Sequence, residues 1–184
     1  IYAPVHSVAE ATENFDLITY EKGAAVVRMI EHYLGAEIFR DGVRRYMRRH
    51  REGNTVAADL WRALEEASGK EVERVAKAWV TQPGFPLVTV DAGTKSVVVK
   101  QERFFADPKT PAAKRRVRWP VPLVVKLPGG QLVRTLADKA SQPLAVGAKR
   151  PAWVFGNASA GGFYRVLHDA TTRTALLANL SELS

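Results

Sequence analysis

The sequence predicts an α+β fold, with a helical part first and a part made of β-strands after it. Two observations support this prediction. Up to residue 85, apolar side chains recur every three or four residues, which is the period of an amphipathic helix. From residue 86, runs rich in β-branched residues alternate with turn residues and no helix separates them, which is typical of an antiparallel sheet. The helical period returns near residue 170, so a further helix is expected to begin there.

Four helices joined by short connections are expected in the first part, which predicts an antiparallel helical subdomain. Thr19 is the expected N-cap of the first helix and Thr55 that of the third, because hydroxyl side chains accept hydrogen bonds from the exposed N–H groups of a helix start. Residues 1–17 are interpreted as a connecting segment in which residues 7–14 can form a turn of helix. The predicted helices span residues 19–34, 37–50, 55–68 and 72–80.

The second part predicts an antiparallel β-sandwich of about seven strands. Short turns that contain glycine, at residues 91–93 and 128–130, are typical of hairpins. The aromatic side chains expected to fill the core are Trp119, Trp153, Phe155 and Phe163. The predicted strands span residues 87–90, 96–104, 119–127, 132–136, 143–146, 152–155 and 163–167.

The composition is that of an ordinary globular protein. Of the 184 residues, 46% are hydrophobic and 25% are charged, which favours a folded chain over a disordered one. The longest apolar runs are far shorter than the ~18 residues that a membrane-spanning helix needs, so no membrane span is predicted. Cysteine is absent, which excludes disulfide bonds, thiolate metal ligands and a cysteine nucleophile.

A net charge of +8 raises the hypothesis of a nucleic-acid partner. The charge is concentrated at residues 114–118 and along the second predicted helix. Apolar residues alternate with the arginines of that helix at helical spacing, so the favoured interpretation is the solvated outer face of a packed helix. The alternative is a basic module that binds nucleic acid or an acidic protein surface. The arginines of this stretch are Arg40, Arg44, Arg45, Arg48, Arg49 and Arg51.

Four short motifs follow one another along the chain. They are Ile-Thr-Tyr-Glu-Lys-Gly-Ala at residues 18–24, Trp79, Gln-Pro-Gly-Phe-Pro at residues 82–86 and Gly-Phe-Tyr-Arg-Val at residues 162–166. In this order the motifs resemble those of the zinc metallo-aminopeptidases of the aminopeptidase N type, which are gluzincins. The resemblance extends over nearly the whole chain.

The resemblance implies that the chain is a fragment with three parts. Residues 1–85 would be the C-terminal helical part of the peptidase catalytic domain. Residues 86–168 would be the β-sandwich domain that follows it, and residues 169–184 the start of a C-terminal helical domain. The upstream and downstream domains of the same polypeptide are therefore expected partners, together with the peptide substrate.

The zinc ligands of this family are not expected within the chain. Zinc peptidases of this kind carry an H-E-x-x-H helix, in which two histidines one turn apart bind the metal and the glutamate acts as general base. No pair among the histidines has that spacing. In the family, this motif and a Gly-x-Met-x-Asn substrate-binding loop lie upstream of the tyrosine helix. The resemblance therefore implies that the parent enzyme binds Zn2+ through ligands outside this chain, that the fragment binds none, and that the fragment alone is inactive. The histidines are His6, His32, His50 and His168.

Tyr20 is the candidate catalytic residue. In the family, the tyrosine of the Tyr-Glu-Lys-Gly run stabilises the tetrahedral intermediate, and the resemblance carries this role to Tyr20 alone. A phenol suits the role, because tyrosine has an ordinary pKa of about 10 and its O–H donates to a developing oxyanion. Taken by itself, Tyr20 would be an ordinary helix-start aromatic, and only the joint order of the motifs favours catalysis. Gly23 is expected to allow close packing against a neighbouring element, because a helical glycine costs about 1 kcal/mol relative to alanine.

The leading hypothesis is therefore a part of a zinc-dependent aminopeptidase that removes N-terminal residues from peptides. A membrane partner is not expected and nucleic acid is disfavoured. A cytoplasmic location is expected by default, since the lack of cysteine is compatible with it. A purely structural sandwich adaptor is a third hypothesis, and among these only the peptidase gives the hydroxyl of Tyr20 a chemical role.

Overall fold

The computed structural model describes residues 5–13, 16–93, 96–147 and 149–183. The chain divides into two compact units, Ile1–Pro83 and Gly84–Ser184. Helices make up the first unit, while the second contains two β-sheets and ends in a helix. The predicted α+β class, with helices first, strands second and a last helix, is confirmed. The assignment of the three stretches to separate domains of a larger enzyme stays a prediction.

The first unit contains the four predicted helices, preceded by a short helix and a π-helical turn. No helix in the described ranges combines the length and the apolar character needed to cross a bilayer. The elements are α1 (Val8–Glu13), the π turn (Ile18–Lys22), α2 (Gly23–Leu34), α3 (Ala36–Arg49), α4 (Ala57–Ser68) and α5 (Val72–Thr81).

The core of this unit lies between α2, α4 and α5. Its largest buried side chain is that of Trp79, which is fully shielded from solvent. Burial of these apolar side chains, at about 25 cal/mol per Å² removed from water, is the main force that holds the helices together. The buried residues are Val26, Met29, Ile30, Tyr33, Leu34, Ala63, Leu64, Val72, Val75, Ala76 and Trp79.

The predicted N-cap of α4 is wrong. The hydroxyl of Thr55 lies 2.6 Å from the hydroxyl of Tyr46 and so connects the start of α4 to α3. The carboxylate of Asp59 instead accepts a hydrogen bond from the N–H of Val56, at 3.0 Å. A carboxylate in the first turn is also favoured by the helix dipole, which explains why it takes this position.

The second unit contains six of the seven predicted strands. Strand order in the larger sheet is β5-β2-β1-β6, and β3 pairs with β4 in a separate hairpin. The β1–β2, β2–β5 and β3–β4 pairs are antiparallel, but β1 and β6 run parallel, with Leu87 opposite Arg165. The elements are β1 (Pro86–Ala92), β2 (Val97–Arg103), α6 (Ala112–Arg115), β3 (Val121–Lys126), β4 (Leu132–Ala137), β5 (Ser141–Leu144), β6 (Arg165–His168) and α7 (Ala170–Ala178).

The segment predicted as the sixth strand, residues 152–155, forms only a single bridge. Phe155 exchanges two backbone hydrogen bonds of 2.9 Å with Lys126, the last residue of β3. Just after β3, the backbone turns at Pro128–Gly130, so it does not continue alongside residues 152–154 and cannot pair with them. Trp153 and Trp119 are buried as predicted, whereas Phe155 and Phe163 are only half-buried.

One buried polar side chain, that of Gln101 in β2, connects the two sheets. Its amide nitrogen donates to the carbonyl oxygens of Trp119, Ala137 and Lys139, at 2.8, 3.0 and 3.3 Å. Its amide oxygen accepts from the N–H of Trp119 at 2.9 Å. Because buried carbonyl and N–H groups are costly when unpaired, this side chain satisfies groups that would otherwise oppose folding.

The last α-helix, α7, begins at Ala170, close to the predicted position, and Asp169 is its N-cap. The Asp169 carboxylate accepts hydrogen bonds from the N–H groups of Thr172, at 2.8 Å, and Ala92, at 2.9 Å. Burial alone would raise the pKa of Asp169, but these bonds outweigh it and lower the pKa to about 2. Asp169 thus caps α7 and also joins it to the end of β1.

We expect two helical glycines to respond to alanine in opposite directions. A Cβ at Gly42 would lie 2.7 Å from Cδ2 of Leu64, where α3 packs on α4, so Gly42→Ala should lower the free energy of unfolding by about 1–3 kcal/mol. Apart from its chain neighbours and the backbone of its own helix, no described atom lies within 4 Å of a Cβ at Gly23. Gly23→Ala should therefore raise that free energy by about 0.5–1 kcal/mol, because alanine favours the helix. Urea unfolding of the two variants measures both changes. Changes in the free energy of unfolding that have the same sign would contradict the prediction.

Candidate functional site

Tyr20 lies on the π turn, Ile18–Lys22, that leads directly into α2. Turns of this kind are rare in proteins and occur frequently at functional sites. The N–H of Gly23, which follows the turn, donates to the carbonyl oxygens of Thr19 and Tyr20. Tyr20 is 60% exposed.

Asp16 holds the start of the π turn. Its carboxylate accepts a hydrogen bond from the N–H of Thr19 at 2.6 Å, and its carbonyl oxygen accepts one from the N–H of Tyr20 at 3.2 Å. The bond from the Thr19 backbone is the main cause of a lowered pKa of Asp16. The prediction that Thr19 is the N-cap is therefore wrong, because the carboxylate three residues earlier provides the capping oxygen.

Helix α2 attaches the turn to the hydrophobic core. Val26, Met29 and Ile30 on α2 are buried, and α2 packs on α5. Trp79, the second of the four sequence motifs, is fully buried on α5. Tyr20 thus lies on a turn that continues directly into a packed helix, which favours a defined position of the turn.

Lys22 connects the end of the π turn to the end of α5. Its Nζ donates to the carbonyl oxygen of Gln82 at 2.9 Å, and the bond is partly buried. Gln82 is the first residue of the third motif and the C-cap of α5. Burial lowers the pKa of the Lys22 ammonium. The structure therefore brings the first and third motifs into contact within the first unit.

The fourth motif surrounds a cavity of about 310 Å³ in the second unit, which Phe85 also lines. A Cβ at Gly162 would overlap the ring of Tyr164, so glycine is required there. Tyr164 is buried, and this burial raises the pKa of its phenol. The guanidinium carbon of Arg165 lies 4.8 Å from the ring centroid of Phe104. The motif thus shapes the edge of the larger sheet, where β6 lies.

Comparison with known proteins relates the chain to a peptidase family. Residues 1–79, which include the Tyr20 turn, match the Peptidase family M1 domain. The leucyl aminopeptidase of Saccharolobus solfataricus is 33% identical over 191 residues, a match that covers 100% of this chain and 22% of that protein. The chain is related to the M1 family aminopeptidases. The resemblance inferred from the four motifs is thereby confirmed.

Two further relatives support the M1 relationship. The Tricorn protease-interacting factor F2 of Thermoplasma acidophilum is 37% identical over 175 residues, which is 95% of this chain and 21% of that protein. The puromycin-sensitive aminopeptidase of Caenorhabditis elegans is 34% identical over 180 residues, which is 94% of this chain and 19% of that protein. The chain thus spans about a fifth of the length of the curated M1 relatives it matches.

The residues present do not fit the zinc site of an M1 peptidase. In the part of the chain that the structure describes, no three His, Asp or Glu side chains are grouped so that they could hold a metal ion. A zinc site needs at least three such protein ligands in a tetrahedral arrangement. Tyr20 is the candidate chemical group within the residues that the structure describes.

The arginine-rich helix α3 presents mostly paired charges. Ion pairs on an exposed surface partly neutralise each other, which agrees with the solvated outer face that the sequence predicts. A pocket of about 320 Å³ lies at the end of this helix, where Tyr46 and His50 line it. The ion pairs are Arg40–Glu37 at 3.0 Å, Arg45–Asp41 at 2.8 Å, Arg49–Glu66 at 2.7 Å and Arg51–Glu52 at 3.3 Å.

Two residues that hold the Tyr20 turn were not identified from the sequence. Asp16 could have been found, because an aspartate just before an apolar helical run is a common N-cap signal. Lys22 could not, because its partner Gln82 lies 60 residues further along the chain. A hydrogen bond between positions so far apart is visible only once the helices are packed.

We expect the stability of this chain to fall as the pH drops below about 6.5, the ordinary pKa of histidine. The Nε2 of His168 accepts a hydrogen bond from the N–H of Gly156 at 3.0 Å, which only the neutral ring can do. Burial lowers the pKa of His168. The negative charge of Asp169 raises this pKa, but its effect is smaller than that of burial. The unfolded chain therefore binds the proton more readily, and the stabilisation is lost as the pH falls through the lowered pKa.

Urea unfolding between pH 7.5 and pH 5 measures this dependence. His168→Gln should remove it, whereas His6→Gln, at an exposed position, should leave it unchanged. A flat stability of the native chain across this range would contradict the role of His168.

Proposed function

We propose that this chain is part of a zinc-dependent aminopeptidase that hydrolyses N-terminal residues from peptides, and that Tyr20 stabilises the tetrahedral oxyanion. The observation that carries the proposal is an exposed phenol on a π turn at the head of a packed helix, inside the stretch that matches the M1 family. The relatives named as aminopeptidases support the activity.

The role proposed for Tyr20 follows from the chemistry of its side chain. Attack on a peptide carbonyl moves negative charge onto the carbonyl oxygen. A phenol O–H aimed at that oxygen donates a hydrogen bond that strengthens as the charge develops, so it stabilises the transition state more than the substrate. The phenol needs no proton transfer for this. Its attachment to α2 keeps the donor in place before the reaction, which is the condition for such stabilisation to be effective.

The remaining groups of the active site are assigned to other parts of a longer polypeptide. Zinc, when bound there, would supply the Lewis acid and the activated water of the reaction. Residues 1–85 would close the catalytic domain, residues 86–168 would form a β-sandwich spacer, and residues 169–184 would begin a C-terminal helical domain. The chain alone is then inactive. A cytoplasmic location is part of the proposal.

Hydrolysis of an aminoacyl chromogenic amide by the full-length polypeptide tests the proposed function. We expect activity that a zinc chelator abolishes and added zinc restores. The isolated chain should show none at the same concentration. A full-length protein that is inactive with zinc present, or equally active after removal of zinc, would show that the assignment is wrong.

A further inference from the structure

Lys22 and Tyr20 lie two residues apart on the same π turn, but their side chains lie in different environments. Residues separated by two positions on a helical turn do not face each other. Tyr20 is largely exposed, whereas Lys22 is half-buried and its Nζ bonds to the carbonyl oxygen of Gln82. Lys22 therefore contacts the packed helices of the first unit while Tyr20 faces outward.

The carbonyl that Lys22 binds lies just beyond the end of α5. Gln82 is the C-cap of this helix and its backbone is extended, so its carbonyl is not used by the hydrogen bonds within the helix. Gln82 follows the last residue of α5, and its own N–H still bonds back to Ala78. A bond from an ammonium group to such a carbonyl is charge-assisted, and roughly twice as strong as a neutral hydrogen bond.

The end of α5 is a rigid attachment point. Val75, Ala76 and Trp79, on the last turns of this helix, are buried. No residue of the π turn is itself buried, so its position depends on contacts at both ends. Asp16 provides the contact at the start, which is local, and Lys22 provides the long-range contact at the end.

We propose that Lys22 is a positioning residue, which orients the Tyr20 hydroxyl by fixing the end of the π turn to the end of α5. The inference rests on the proposed function of Tyr20. Lys22 does not touch the substrate and acts through the backbone of the turn. Loss of its hydrogen bond would let the turn relax, and a displacement of about 1 Å at a reacting group can cost roughly 100-fold in rate.

A double-mutant cycle in the full-length polypeptide tests the inference, with Lys22→Met, Tyr20→Phe and the double variant compared with the native enzyme. Methionine keeps most of the side-chain volume and removes the ammonium donor. We expect Lys22→Met to lower kcat roughly 10- to 100-fold with KM nearly unchanged. In the Tyr20→Phe background the same change should have almost no effect, because the group that Lys22 positions is already gone.

Lys70→Met is the matched control. The Nζ of Lys70 also donates to a backbone carbonyl near a helix end, that of Tyr33 at 3.3 Å, at the opposite end of α2. Its replacement should leave kcat within about twofold of the native value. Lys22→Arg, which keeps a cationic donor, should recover most of the activity lost in Lys22→Met. If Lys22→Met does not fold, the cycle is run with Lys22→Gln, which keeps a polar group but cannot reach the carbonyl.

The outcomes separate the two proposals. If Tyr20→Phe is slow and Lys22→Met is as fast as the native enzyme, or if the two losses multiply in the double variant, only the role of Lys22 is wrong. If Lys70→Met is as slow as Lys22→Met, the effect is one of general stability and the inference is overturned. If Tyr20→Phe is as fast as the native enzyme, the proposed function of Tyr20 fails and the role of Lys22 fails with it.

Discussion

Tyr20→Phe in the full-length enzyme is expected to lower kcat by about 100-fold or more, which is the loss of one oxyanion donor. The substitution removes a single oxygen atom and keeps the ring, so the π turn and its hydrogen bonds to Asp16 should be unchanged. KM should stay within about threefold of the native value, because the lost bond is strong only in the transition state. Steady-state hydrolysis of an aminoacyl amide measures both constants.

The control for this variant is Tyr46→Phe. Tyr46 is another helical tyrosine of the first unit, and its hydroxyl has a hydrogen-bond partner, Thr55, at 2.6 Å. Its loss should reduce stability by about 1 kcal/mol and leave kcat unchanged. A Tyr20→Phe enzyme with the native kcat would rule out Tyr20 as an oxyanion donor, and equal losses in both variants would point to a structural effect.

Gln101→Met is expected to destabilise this chain by about 3–5 kcal/mol, the largest effect on stability that we predict. Methionine has nearly the same length and volume as glutamine, so the packing is conserved while four hydrogen bonds disappear. The carbonyl oxygens of Trp119 and Ala137 and the N–H of Trp119 would then be buried without this partner. Each such group costs about 1–3 kcal/mol.

Urea unfolding of the chain, followed by the fluorescence of the buried tryptophans, measures the effect of Gln101→Met. Gln131→Met is the control, because Gln131 is exposed and its replacement should change the free energy of unfolding by less than about 0.5 kcal/mol. A shift for Gln101→Met as small as that for the control would show that water can satisfy the groups that Gln101 binds.

The helices of the first unit could be predicted because their determinants are local. Val26, Ile30 and Leu34 recur at helical spacing, and these residues are buried in the structure. The caps were less predictable, because hydroxyl and carboxylate side chains near a helix start can both accept hydrogen bonds from its backbone. Thr19 and Thr55 are the predicted caps, whereas the carboxylates of Asp16 and Asp59 make the bonds.

The pairing of strands depends on partners that the local sequence does not identify. Residues 152–155 have the composition of a strand, but only Phe155 finds a paired backbone. The parallel arrangement of β1 and β6 was not expected either, because strands joined by short turns suggest antiparallel neighbours. At the candidate site, the motif order identified Tyr20, while the π turn and the contact of Lys22 with Gln82 required the packed helices.

The parallel pairing of β1 with β6 also determines how the second unit responds to tension. Because these strands run in the same direction, the start of β1 at Pro86 and the end of β6 at His168 lie at opposite ends of the pair. A pull on these two residues loads the hydrogen bonds between the strands in shear, so that they must break together. A hairpin pulled at its open end gives way one bond at a time. The β1–β6 pair should therefore resist extension between Pro86 and His168 better than a hairpin with the same number of hydrogen bonds.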